Sequence, residues 1–113
     1  MAEIFGTFIL TANDGKYEAE FFNNKMKAFC KEEVRKIEVS PTNEFVGNFD
    51  VTWNENSGSC GAVMQIDLES EHIYMLKWTD VELNGELQNM NFSGRGVVRN
   101  GILVAVYSMN ALH

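Results

Sequence analysis

The stretch Gly94-Arg95-Gly96-Val97-Val98-Arg99-Asn100-Gly101-Ile102-Leu103-Val104-Ala105-Val106-Tyr107 decides how this chain is read. Asn100-Gly101 stands between two β-rich runs, and both central positions of a type I′ turn require positive φ, which Asn and Gly adopt at least cost. A two-residue loop then sets the register: Arg99 opposite Ile102, Val98 opposite Leu103, Gly96 opposite Ala105, Gly94 opposite Tyr107. One side of this hairpin reads Phe92, Gly94, Gly96 and Val98 against Leu103, Ala105, Tyr107 and Met109, with no charge, while Arg95, Val97 and Arg99 take the other. Unpaired charge is costly to bury, so the charge-free side is the core side. Two glycines on it predict bends, or room left for Tyr107 and whatever lies over it.

The same period of two recurs upstream. Gly47 to Trp53 puts Phe49, Val51 and Trp53 on one side; Gly61 to Glu69 does so for Ala62, Met64, Ile66 and Leu68; Ile73 to Asp80 for Tyr74, Leu76 and Trp78. The short polar links between these runs imply antiparallel hairpins. Near the start, Phe5–Ala12 and Lys16–Phe22 flank Asn13-Asp14-Gly15, with Phe8, Leu10, Tyr17, Ala19 and Phe21 as inward candidates.

Asn23-Asn24 offers an N-cap, and the spacing predicts a helix over Lys25–Lys36. On it Met26, Phe29, Cys30, Val34 and Ile37 share one arc, while Lys27, Lys31 and Arg35 form a basic stripe. Ser40-Pro41 ends that element, with a brief strand at Ile37–Val39. The expected fold is therefore mainly β: an antiparallel seven- to eight-stranded barrel or half-barrel with one helix after the first hairpin, a sandwich being the alternative. No internal repeat or linker divides the chain, so residues 1–113 read as one domain.

Composition narrows the function classes. A chain of 113 residues with 9 basic and 16 acidic side chains has a formal net charge of −7, which argues against general nucleic-acid binding. No apolar run approaches the roughly 18 residues of a membrane span, and Met1-Ala2-Glu3 has none of the basic or apolar character of a leader; a cytoplasmic protein without a membrane partner is expected. Two cysteines make neither a disulfide scaffold nor a four-thiolate metal site. Cys30 reads as a small buried apolar residue and Cys60 as a loop thiol. His72 falls in a turn beside Glu71 and His113 is the last residue, so neither marks a metal centre. Ser57-Gly58-Ser59-Cys60-Gly61 lacks the Lys and following helix of a phosphate loop. No nucleophile has a base beside it, so no enzyme is expected and no cofactor.

The candidate site is the aromatic interior. Eight Phe, three Tyr and two Trp are present, and an eight-stranded barrel is just wide enough to be filled by side chains or to hold one small ligand. A solid aromatic core and a pocket are both open readings. The pocket reading assigns Trp53, Trp78, Tyr74, Tyr107, Phe49 and Phe92 to a small apolar or aromatic ligand, since buried Tyr and Trp carry polar tips that need partners. Glu33 lies within the apolar arc of the expected helix, which would aim a carboxyl inward as acid or anchor.

Phe5-Gly6-Thr7-Phe8, Tyr74-Met75-Leu76-Lys77-Trp78, Gly94-x-Gly96 and the Gly101, Leu103, Tyr107 series resemble calycin-type barrels, the lipocalin, fatty-acid-binding and avidin-like group, and bacterial lipocalin-like domains. That resemblance implies an up-and-down barrel that binds a small apolar ligand without catalysis. The alternative from the residues themselves is an acidic protein-interaction module, of inhibitor or immunity type or a homodimer, with a solid core. Its warrant is the net charge and the outward series Val97, Ile102, Val104 and Val106.

Overall fold

The computed structural model describes residues 4–26 and 28–111, without the side chain of Ala111. It contains nine strands: β1 (Phe5–Asn13), β2 (Lys16–Asn23), β3 (Cys30–Ser40), β4 (Asn43–Glu55), β5 (Gly58–Leu68), β6 (Tyr74–Leu83), β7 (Glu86–Leu87), β8 (Met90–Arg99) and β9 (Ile102–Ala111). Each strand pairs antiparallel with its neighbours, β5 with β6 and β1 with β9 included. Eight strands therefore close into an up-and-down barrel, and β7 is a short addition on β6.

The deciding hairpin has the expected register, Gly94↔Tyr107 and Arg99↔Ile102 among its pairs. Asn100 and Gly101 both have positive φ, 54° and 76°, as a type I′ turn demands. Asp14-Gly15 does the same between β1 and β2, and Asn84-Gly85, which the sequence reading passed over, does so between β6 and β7. Inward alternation buries Phe8, Leu10, Phe21, Phe49, Met64, Ile66, Leu76 and Leu103 in one continuous core. A bulge at Asp80-Val81 opposite Ala62, with Asp80 at φ 52°, shifts the register of β6, a common device for turning a strand at a barrel rim.

The expected helix is not there; no described residue is helical. Asn23 does not cap a helix: its Oδ1 accepts the Lys25 amide at 2.9 Å and its carbonyl accepts the Met26 amide at 3.0 Å, closing a turn at the end of β2. Residues from Cys30 on then form β3, pairing with β2 through Tyr17↔Val34 and with β4 through Glu32↔Trp53. The stretch carries both a helical period and a period of two (Cys30, Glu32, Val34 against Lys31, Glu33, Arg35). Without a strand here, the facing edges of β2 and β4 would leave two rows of backbone groups unpaired, a far larger penalty than the modest propensity differences that favour a helix. The basic stripe consequently becomes outward positions of β3, Lys31 and Arg35; Lys27, the third member, lies outside the described residues. Arg35 meets Asp50 at 2.9 Å on the open surface.

Gly94 and Gly96 are required by close approach. A Cβ at Gly94 would sit 2.3 Å from the Val106 carbonyl oxygen and 3.0 Å from Tyr107 Cβ. Neither can retreat, because the first is backbone and the second is in the opposed ladder position. Gly94→Val is expected to lower the unfolding free energy by about 1–3 kcal/mol or more in urea titration. Gly61→Ala, where the nearest atom to a new Cβ is 3.5 Å away, is expected to be neutral or to gain up to about 1 kcal/mol.

Candidate functional site

The barrel has two chemically different ends. At one, Tyr17 packs edge-on against Phe49 at 5.1 Å and Phe45 against Tyr74 at 6.3 Å. Both phenols there have protein partners: Tyr17 donates to the Glu44 carbonyl at 2.7 Å, and the Tyr74 oxygen accepts from Asn43 Nδ2 at 2.9 Å. This end is packed and satisfied. Phe49 and Tyr74, both assigned to the pocket by the sequence reading, belong here and do not line the cavity described next.

At the other end the termini of β2, β4 and β9 and the starts of β1, β3 and β8 surround a cavity of about 60 Å³. Trp53, Trp78, Phe92 and Tyr107 line it, together with Phe8, Phe21, Ile4, Asn23, Glu32 and Glu55. The rings brace one another: Phe8 on Trp78 at 5.1 Å, Phe21 on Trp53 at 5.8 Å, Trp78 on Tyr107 at 5.6 Å and Phe92 on Tyr107 at 5.9 Å. Three of these four contacts are edge-to-face, the arrangement that the aromatic quadrupole favours. Such contacts hold the walls in place without filling the space between them.

The buried carboxyl of this cavity is Glu32, Glu55 being exposed, and Glu33 points outward into water. Replacing the helix by a strand explains the exchange: in β3 alternate residues face opposite sides, so Glu32 shares the inward side with Cys30 and Val34. Glu32 is 6% exposed, and burial raises its pKa to about 8, a hydrogen bond from the Trp78 side chain offsetting only part of the effect. Its Oε1 has no hydrogen-bond partner among the described residues, nor has the buried indole nitrogen of Trp53. These two residues stand directly opposite each other in the β3–β4 ladder, where facing side chains are neighbours. The cavity lining thus includes an acceptor on Glu32 and a donor on Trp53, each without a partner among the described residues, where buried polar groups are normally paired.

The surrounding groups are fixed. Asn23 Nδ2 donates to the Tyr107 hydroxyl at 3.2 Å; burial, and then the nearby carboxylates, push that phenol up to about 12. Cys60 is buried rather than a loop thiol, and desolvation and Glu55 push it up to about 11, which makes it an unreactive thiol. Cys30, also free, is raised by burial and by Glu55. Asn23, read as a helix cap, and Glu32 and Glu55 were not assigned to the site from the sequence; the alternation Cys30-x-Glu32-x-Val34 is the one signal that carried Glu32.

His72 is exposed, 4.0 Å from Glu71, and His113 lies outside the described residues. No cluster of three or more His, Cys, Asp or Glu among the described residues has the geometry of a metal site. No described helix is long and apolar enough to cross a membrane. No family model, curated protein or solved structure matches the chain.

A carboxyl whose folded pKa lies above its unfolded value stabilises the fold least at high pH: the folded state keeps a proton that the unfolded state releases, so stability falls as pH rises from about 4.5 to about 8. Glu32→Gln keeps the shape and removes the titration. Its melting temperature is expected to exceed that of the wild type by several degrees at pH 8, with the gap shrinking toward pH 5 in calorimetry. A gap that does not depend on pH would show that Glu32 does not titrate in this window.

Proposed function

We propose that the barrel binds a small molecule with an apolar body in the cavity lined by Trp53, Trp78, Phe92 and Tyr107, without chemistry on it. One observation carries the reading: an aromatic-walled space in which a buried acceptor and a buried donor, Glu32 Oε1 and Trp53 Nε1, both lack protein partners. At about 60 Å³, against the roughly 150 Å³ of an engineered apolar cavity that admits benzene, the space suits a group of a few heavy atoms rather than a free aromatic ring. A calycin-like binding barrel is the class of protein this describes. Its charged side chains at Glu18, Glu20, Lys31 and Glu33 face outward and its core is apolar, the reverse of a barrel embedded in lipid, so the ligand is taken up from water in this reading.

A second reading, self-association, is favoured by a different observation. The outward residues of β1 and β9 carry no charge, and Phe5 and Val106 are 58% and 66% exposed there. In a chain of net charge −7, this strip is the surface on which two copies approach with least repulsion. Native mass spectrometry that finds a dimer dissociated by Val106→Glu supports it; a monomer at all concentrations removes it.

Both tryptophans of the chain line the cavity, so intrinsic fluorescence reports on it directly. Titration with a panel of small molecules (1-propanol, 2-butanone, n-propylamine, toluene) is expected to give a saturable emission change with at least one of the first three and none with toluene. Trp53→Ala, read through Trp78, is expected to weaken that binding roughly tenfold or more, the usual effect of deleting an aromatic anchor. An unchanged affinity removes these side chains from the site.

A further inference from the structure

The cavity has a sign as well as a shape. Its described lining consists of six aromatic rings, two carboxyl side chains, Ile4 and Asn23, and includes no Lys, Arg or His. Glu32 lies at its wall, buried and with one oxygen unpartnered among the described residues, and Glu55 is exposed beside it. Aromatic faces attract a cation through their quadrupole, the more so when water is excluded, and a buried carboxylate is tolerated when an opposite charge accompanies it. Resting on the ligand-binding reading above, we propose that the ligand is a small organic ammonium ion, its cationic head among the rings and against Glu32.

The Trp53 indole N–H adds a requirement. It is a donor only, which an ammonium group cannot satisfy, so it calls for an acceptor on the same molecule. Glu32 and Trp53 face each other across one ladder position and line the same small cavity, so that acceptor belongs on the same short molecule as the nitrogen. A short amino alcohol meets both demands.

Binding exchanges a proton for the ligand. In the empty cavity burial keeps the Glu32 carboxyl protonated up to about pH 8; the arriving ammonium replaces that proton, which leaves to solvent. Among the described residues, the other titratable groups at this end include Glu55 on β4, Cys30 on β3, Cys60 on β5 and Tyr107 on β9, with Lys25 in the turn after β2. The Tyr107 phenol and the Cys60 thiol are held neutral through this range by burial, and Glu55 adds negative charge at the mouth, which favours the cation further. Affinity for an amine therefore rises with pH toward 8 and levels off above it, below the range in which an alkylamine itself deprotonates (about 10.4 for a lysine side chain).

The experiment compares three probes of nearly equal size, 2-aminoethanol, n-propylamine and 1-propanol, by tryptophan fluorescence and calorimetry on the intact protein between pH 6 and 9. The expected order is 2-aminoethanol, then n-propylamine, then 1-propanol, with about tenfold or more between the amines and the alcohol at pH 8, and amine affinity falling toward pH 6. Glu32→Gln is expected to bring the amines down to the level of the alcohol. Glu55→Gln, at an exposed position where folding is not at risk, is expected to weaken the amines a few-fold and leave 1-propanol unchanged; Glu33→Gln, on the outer surface, changes neither. If 1-propanol binds as tightly as the amines, with no dependence on pH, the ammonium assignment is overturned while the binding cavity stands. If no probe of this series or of the wider panel perturbs Trp53 or Trp78, both fall.

Discussion

The ladder between the first and last strands governs the rest of the molecule. Seven pairs, from Phe5↔Ser108 to Thr11↔Ile102, join β1 to β9 and turn what would be an open sheet with two exposed edges into a ring. Closure at eight strands leaves an interior about as wide as the side chains that fill it. Every inward polar group must then find its partner within or at the rim of that narrow space, as the Tyr17 phenol does on the Glu44 carbonyl. This is why an unpartnered Glu32 oxygen and Trp53 nitrogen carry information here that they would not carry on an open sheet.

The two ends of the barrel meet that demand differently. Around Tyr17, Phe45, Phe49 and Tyr74 the rings pack against one another and their hydroxyls reach Glu44 and Asn43. Around Trp53, Trp78, Phe92 and Tyr107 the rings brace each other mainly edge to face but enclose a space, with hydrogen bonds from Asn23 to Tyr107 and from Trp78 to Glu32 at its wall. Gly94, directly opposite Tyr107, lets that ring lie against the wall because no Cβ stands in its way.

Glu32 is also where local consistency breaks. Apart from the Trp53 nitrogen, no other described buried side chain has a polar atom without a partner, and this position places a carboxyl in low dielectric and raises its pKa to about 8. Chains that specify a fold at every other level and violate the pattern at one buried position commonly do so where function requires it. The violation has the form that binding can relieve, since a cation or a hydrogen-bonding partner restores what burial removed.

The strands at Gly47–Trp53, Gly61–Glu69 and Ile73–Asp80, the hairpin around Asn100-Gly101 and the first hairpin, but not β7 and its Asn84-Gly85 turn, were legible in the chain alone, because a period of two and the Asn100-Gly101 and Asp14-Gly15 turns are local signals. So was the convergence of Trp53, Trp78, Phe92 and Tyr107, which follows once those strands pair in order. The segment from Lys25 to Lys36 was not legible: it satisfies a helical arc and a strand alternation together, and the choice rests on the unpaired edges of β2 and β4, which exist only once the barrel has formed. That choice moved the buried carboxyl from Glu33 to Glu32, since a strand and a helix turn the same residue in different directions. It also fixed which aromatic residues share a cavity and which, like Phe49 and Tyr74, pack at the opposite end, a matter of height along the barrel axis that no single strand encodes.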